Sequence, residues 1–111
     1  MADRLFTSKE SEELLSLLRL ETKMEFYVIA RIAFALSLSK HKNNVPKNLD
    51  FSGRQFKRAQ FIGSEEPYYR TLLSFVYKKS DFTDDEFYSN NSAIKYHIDE
   101  GCNILKNIYE Q

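Results

Sequence analysis

The side chains best suited to catalysis or metal binding in this sequence are one cysteine and two histidines. Cys102 has no second cysteine with which to form a disulfide. Neither His41 nor His97 has a second histidine or cysteine three or four residues away, as a helical metal site would require. In the predicted last helix, Cys102 lies between Ile98 and Leu105, where a small apolar side chain packs well, whereas a catalytic thiol needs an electropositive and partly exposed position. We therefore expect Cys102 and His97 to be packing residues, and we expect no metal and no cofactor.

The glycines and the acidic residues do not support nucleotide binding or acid–base chemistry. Gly53, Gly63 and Gly101 are ten or more residues apart, whereas phosphate-binding loops need closely spaced glycines before a helix. The acids among residues 81–86 are explained by the start of a helix, whose dipole favours negative charge, without a metal or an acid–base pair. The sequence therefore predicts a protein that works by binding and assembly and is not an enzyme.

Positive charge is concentrated in the middle of the chain, although the net charge of the 111 residues is zero. Residues 40–58 carry six basic side chains and one acid, whereas residues 1–39 carry five basic and six acidic side chains and residues 59–111 carry five and nine. The basic side chains of this segment are Lys40, Lys42, Lys47, Arg54, Lys57 and Arg58. Such a cluster is typical of a polyanion contact, and on charge alone a solvated loop explains it equally well.

The chain begins with a short strand and an amphipathic helix. Residues 4–6 form the predicted strand, and Thr7 with Glu10 forms a T-x-x-E capping box that opens the first helix. That helix ends near Glu21, before a tight turn at residues 22–23. A second helix follows from about residue 25 to residue 39.

This second helix is apolar on nearly every side. Its most apolar part, from Phe26 to Leu38, is shorter than the roughly 20 residues of a membrane span and contains Arg31 near its middle. Burial in the core or in a subunit contact explains the pattern better, so we expect a homo-oligomer and no membrane contact. The guanidinium of Arg31 is expected to pair with a carboxylate of a neighbouring helix or subunit.

The second half of the chain predicts an irregular connection over residues 41–50, an extended segment over 54–62, and helices that begin at Ser64 and Ser92. In the last helix, apolar residues and one glycine recur at spacings of four, three, four and three: Ile94, Ile98, Gly101, Leu105 and Ile108. This pattern indicates a packing seam in which the glycine lets another backbone approach. The predicted fold is therefore a mainly α, compact, single helical domain over residues 1–111 with a short N-terminal strand.

The lone cysteine and the absence of a secretory signal at the start predict a cytoplasmic location.

Four strings in this order cover nearly the whole chain: RLFTSKESEELLSLL at 4–18, ARIAFALSLS at 30–39, GRQFKRAQFIGSEEPYYRTLL at 53–73 and HIDEGCNILK at 97–106. In combination they resemble the DndE family of DNA sulfur modification proteins. The resemblance implies an accessory, non-catalytic component of DNA phosphorothioation, in which sulfur replaces a non-bridging oxygen of the DNA backbone and other sulfur modification proteins supply the chemistry.

The resemblance also implies a ribbon-helix-helix-like first half, a homo-oligomer described as a tetramer, and binding of nicked duplex DNA through lysines. Lys23 stands where the family is expected to prefer glycine, so the first turn is expected to differ. The DNA-binding residues that we expect are Lys57, Arg58, Arg54, Lys47 and Lys42, as phosphate contacts that position the protein without reading sequence. Two alternatives are a ribbon-helix-helix transcriptional regulator, whose paired strands read the major groove, and a scaffold protein that does not contact DNA.

Overall fold

The structure is a computed structural model that describes residues 3–40 and 50–110. Lys42 and Lys47 of the predicted DNA contacts, and most of the predicted connection 41–50, lie outside the described residues. The elements in chain order are β1 (Arg4–Phe6), α1 (Lys9–Thr22), α2 (Phe26–Ser39), β2 (Gln55–Lys57), α3 (Arg58–Phe61), α4 (Glu66–Tyr77), α5 (Asp84–Phe87) and α6 (Ala93–Tyr109). The expected mainly α fold with a short N-terminal strand is confirmed.

The two strands form an antiparallel ribbon within one chain. Leu5 pairs with Phe56, and both side chains are buried, whereas Arg4 pairs with Lys57 on the exposed face. The predicted extended segment over 54–62 is correct for only three residues, because the chain turns into α3 at Arg58. A strand continued through this segment would place Arg58 on the same face as Phe56 and in the core, whereas the helical turn brings Phe61 there instead.

The first helix is capped one residue later than the sequence predicts. The Ser8 hydroxyl, and not Thr7, accepts the hydrogen bond from the Ser11 N–H (3.1 Å), and the helix begins at Lys9. At the other end, Lys23 takes the left-handed conformation (φ 65°), and its N–H donates to the Arg19 carbonyl (2.9 Å). A lysine thus occupies the helix-ending position at which glycine is ordinarily favoured.

The core is built where α2 crosses α6. Ala30, Ala33 and Phe34 of α2 are buried, as are Ile98 and Gly101 of α6. A Cβ atom placed on Gly101 would lie 1.8 Å from the Ala33 carbonyl oxygen, so the two helix backbones touch at this point. The predicted close approach at Gly101 is confirmed.

Within the described residues, Arg31 of α2 bonds to backbone carbonyls and forms no ion pair with a carboxylate of a neighbouring helix, while pairing with a neighbouring subunit stays a prediction. Its Nε donates to the carbonyl of Phe61 (3.0 Å) and an Nη donates to the carbonyl of Gln60 (3.1 Å). The last carbonyls of a helix have no partner within the helix, so the guanidinium supplies the donors that the end of α3 lacks.

Of the helices in residues 3–40 and 50–110, none is both long and apolar enough to span a membrane.

Candidate nucleic-acid interface

Arg54, just before β2, is held on an aromatic ring. Its guanidinium carbon lies 3.5 Å from the ring centroid of Phe26, and the same ring is approached by Arg19 at 5.0 Å. The Arg54 backbone is locked to Thr7, because the Arg54 N–H donates to the Thr7 hydroxyl and the Thr7 N–H donates to the Arg54 carbonyl, both at 2.9 Å. Arg19 bonds to Glu25 (3.0 Å), whereas Arg54 forms no ion pair within the described part of the chain. A stacked guanidinium keeps its donors in a fixed plane, which suits two parallel bonds to a phosphate.

Lys57 lies directly opposite Arg4 on the exposed face of the ribbon. Like charges that face each other across a strand pair are unfavourable without an anion between them. Arg4 approaches Asp3 at 3.9 Å, with both side chains more than half exposed. Arg4 was not among the residues expected from the sequence, since only the pairing of β1 with β2 places it beside Lys57.

Arg58, the neighbour of Lys57, points instead into a network of charges. Its guanidinium donates to Asp84 (2.8 Å) and to Glu66 (2.6 Å), and Glu66 also accepts from Arg70 (2.9 Å). These hydrogen bonds from Arg58 and Arg70 lower the pKa of Glu66. The Arg58 side chain is 11% exposed, so a phosphate contact by Arg58 would require it to leave both carboxylates. Its contact with DNA stays a prediction.

A buried polar network that the sequence did not indicate joins α6 to the start of α1. Lys95 and Asp99 are 1% and 7% exposed, and the Lys95 ammonium donates to the Asp99 carboxylate and to the Asp50 carbonyl (2.9 Å). Asp99 also accepts from the Ser8 N–H (3.0 Å) and the Ser11 hydroxyl (2.7 Å). A lysine and an aspartate four residues apart usually form an exposed helical pair, so spacing alone does not predict this burial.

This network holds the residues that position Arg54. Ser8, which Asp99 binds, follows Thr7, whose backbone and hydroxyl bond to Arg54. On the other side, hydrogen bonds from the Ser52 hydroxyl and from the Lys9 N–H lower the pKa of the Asp50 carboxyl to about 2. The turn that carries Arg54 is therefore tied at one end to Lys9 of α1 and at the other to Thr7, two residues before α1.

The histidine and the cysteine of α6 lie in the core, as expected. The ring of His97 is buried, with Nδ1 bonded to the Ser37 hydroxyl (2.7 Å) and Nε2 bonded to the Tyr77 hydroxyl. Cys102 is 2% exposed, and burial raises the pKa of its thiol to about 12. In residues 3–40 and 50–110, no group of three or more histidine, cysteine or acidic side chains is arranged to hold a metal ion.

The comparisons with known proteins agree on one family. The family model described as DNA sulphur modification protein DndE matches residues 4–111. The fold is similar to the crystal structure of DndE from Escherichia coli B7A, a protein involved in DNA phosphorothioation modification, with a TM-score of 0.68 and 19% identity over 95% of this chain and 98% of that chain. It is also similar to a glycine-to-lysine double mutant of DndE, with a TM-score of 0.69 and 18% identity over the same shares. Curated protein sequences include no significant match. Because the family model spans nearly the whole chain, the protein belongs to the DndE family of DNA sulfur modification proteins.

Proposed function

We propose that this protein is a non-catalytic accessory component of DNA phosphorothioation that binds the backbone of duplex DNA, preferably at a nick, and docks on the other sulfur modification proteins. The observation that carries the DNA contact is Arg54, whose guanidinium lies 3.5 Å from the Phe26 ring with no carboxylate partner in the described residues. Lys57 and Arg4 add two exposed cations on the adjoining ribbon.

The chemistry of these cations suits phosphates better than bases. A guanidinium on an aromatic ring offers two parallel donors to phosphate oxygens, and a lysine offers a point charge. Contacts of this kind position a protein on DNA without reading its sequence. Since the net charge of the chain is zero, the attraction is local and we expect it to be strongly screened by salt.

Assembly is part of the proposal. The sequence predicts a homo-oligomer, and α1 and α2 leave apolar side chains on the surface: Leu20 is 72% exposed, and Leu17 and Ile32 are each 40% exposed. Exposed apolar surface of this kind is typical of contacts between copies. We propose an oligomer of this chain, of the tetrameric kind that the family resemblance implies.

Reversing Lys57 should weaken DNA binding uniformly. We expect Lys57→Glu to lower the affinity for nicked and intact duplexes of any sequence and to reduce the log–log salt slope by about one. Arg54→Lys should also weaken binding, because lysine keeps the charge but loses the two-donor geometry. Fluorescence anisotropy at two salt concentrations, with nicked, intact and single-stranded ligands, measures these effects.

Lys106→Glu is the matched control for this experiment, because Lys106 is an exposed lysine on α6 outside the ribbon. Arg58 is left unchanged, since its reversal would break the bonds to Glu66 and Asp84 and alter the fold. Unchanged affinity in both Lys57→Glu and Arg54→Lys would favour the scaffold that does not contact DNA. A change in sequence preference would favour the ribbon-helix-helix regulator.

The thiol of Cys102 should be unreactive in the folded protein. Burial and a pKa of about 12 leave almost no thiolate at neutral pH, and the thiolate is the form that reacts and carries sulfur. We expect Ellman's reagent to label the native protein far more slowly than the protein in denaturant. The control is a Cys102→Ala variant with Ser16→Cys on the exposed face of α1, which should react at once.

The same residue tests the absence of catalysis. Cys102→Ala should leave sulfur incorporation into DNA close to that of the unaltered protein when the whole system is reconstituted. Loss of incorporation in a folded Cys102→Ala protein would replace our proposal with a sulfur-carrier role.

A further inference from the structure

The helix α4 is apolar on two opposite sides, and only one of them is buried. Tyr69 and Leu73 face the core, whereas Phe75 is 81% exposed and Tyr68 is 59% exposed. A phenylalanine this exposed on a regular helix leaves a large apolar surface in water. Such surfaces are typical of contacts with another protein.

An open groove of about 710 Å³ runs along this outer side of α4. This groove is a wide, shallow depression, and the residues that line it include Thr71, Ser74 and Phe75 together with the cations Arg70 and Lys78. The described residues that line the groove include these two cations and no acid. The groove is therefore suited to a segment that combines apolar side chains with acids.

The two cations differ in how much charge they offer. Arg70 is held by Glu66 (2.9 Å) and the Phe82 carbonyl (3.0 Å), lies 4.0 Å from Asp84 and contacts the buried Phe87 ring, so its charge is largely compensated. Lys78 takes the left-handed conformation at the end of α4 (φ 52°), is exposed, and forms no ion pair in the part of the chain that the structure describes. The end of the groove at Lys78 thus carries the charge that is least compensated.

A face of this same chain has the complementary pattern. On α1, Glu13, Leu17, Leu20 and Glu21 are all exposed and lie on one side of the helix, because they are spaced by four, three and one residues. Glu13 and Glu21 are eight residues apart, as are Arg70 and Lys78, so both pairs of charges are separated by about 12 Å along their helices. Leu17 and Leu20 lie between the two acids, as Phe75 lies between the two cations.

We propose that the groove of α4 binds the Glu13–Glu21 face of α1 from a second copy of the chain, an inference that rests on the assembly part of the proposed function. The two faces lie on different helices, so the contact is heterologous and one copy can bind two others. Burial of Leu20 and Phe75 drives the association, and an ion pair of Lys78 with Glu13 or Glu21 sets its register, because Arg70 is already bonded to Glu66. DNA is a poorer occupant, because the exposed acids Glu65, Asp81 and Asp85 lie on the segments next to the groove.

Two variants that each break one face provide the test. In Phe75→Ser the groove is damaged and the α1 face is intact, whereas in Leu20→Ser the reverse holds. Each variant alone should dissociate at a concentration at least tenfold higher than the concentration at which the unaltered chain dissociates. Analytical ultracentrifugation measures both concentrations. Mixed in equal amounts, the two variants should form heterodimers, because one intact groove then meets one intact α1 face.

Charge exchange tests the register of the contact. Lys78→Glu should weaken assembly. One of the two changes Glu13→Lys and Glu21→Lys, added in the same chain, should restore it. The acid whose reversal restores assembly is the one that faces Lys78, and it gives the relative direction of the two helices. Ile108→Ser is the control, since Ile108 is 53% exposed on α6 outside both faces. Circular dichroism checks that every variant is folded.

The proposal is overturned by any of four results: a monomeric unaltered chain at micromolar concentration, unchanged mass in Phe75→Ser, absence of heterodimers in the mixture, or no rescue by either acid. Unchanged mass with loss of binding to purified sulfur modification proteins would assign the groove to another protein. DNA affinity is measured on the same samples and depends on Arg54 and Lys57. Failure of the DNA contact is therefore distinguished from failure of the assembly contact.

Discussion

Replacing Gly101 by alanine is expected to lower the free energy of unfolding by about 3 kcal/mol, at the upper end of the cost of overpacking a core. The added Cβ would lie 1.8 Å from the Ala33 carbonyl oxygen, and that oxygen belongs to the backbone of α2, which cannot rotate away as a side chain can. Alanine favours a helix over glycine by about 1 kcal/mol, so a net loss would show that the steric conflict outweighs helix propensity. Urea denaturation followed by circular dichroism measures the change.

Asn107→Ala is the matched control, because Asn107 is exposed on the same helix. Its effect should remain within about 0.5 kcal/mol. If Gly101→Ala were as stable as the unaltered protein, α2 and α6 would be able to separate without loss. The close contact of the two backbones would then not be required for the fold.

Breaking the buried pair Lys95–Asp99 is expected to cost about 3–5 kcal/mol for either partner removed alone. Lys95→Met leaves the Asp99 carboxyl, which is 7% exposed, without its counter-charge, and Asp99→Asn does the same to the buried Lys95 ammonium. The double variant Lys95→Met with Asp99→Asn should lose less than the two single losses combined, since it leaves no isolated charge. Denaturation of the four proteins gives the coupling free energy.

Lys106→Met is the control for Lys95→Met, since it removes an exposed lysine from the same helix. A coupling near zero would mean that each side chain is stabilised by its other partners alone. For Asp99 these include Ser8 and Ser11, and for Lys95 they include the Asp50 carbonyl and the Phe51 ring. The pair would then not be the connection between α6 and α1.

The two sites also bear on function, because they support the elements that carry Arg54. Gly101 lets α2 pack against α6, and Phe26, whose ring holds the Arg54 guanidinium, is the first residue of α2. Asp99 binds Ser8, next to the Thr7 that bonds to Arg54. Milder changes at either site should therefore reduce DNA affinity through the position of Arg54 even where the protein remains folded.

Local patterns in the sequence were sufficient to predict most of the helices. The apolar helix from about residue 25 to 39 is present as Phe26–Ser39, and Ser92 caps the last helix by accepting from the Lys95 N–H (3.2 Å). Capping and apolar periodicity act over four residues or fewer, so they are readable without knowledge of the rest of the chain. The same locality explains the misplaced first cap, since Thr7 and Ser8 both suit the position and Thr7 is engaged by Arg54, 47 residues away.

Composition, apolar periodicity and charge counts were therefore enough to predict the mainly helical class, the close approach at Gly101 and the concentration of positive charge over residues 40–58. The role of each charge depends instead on how the chain packs. Lys57 and Arg58 are neighbours in sequence, yet Lys57 is exposed beside Arg4 while Arg58 is enclosed by Glu66 and Asp84. The physical reason is that the free energy of a charged side chain depends on its solvation and on partners that packing brings from distant parts of the chain, which local spacing does not record.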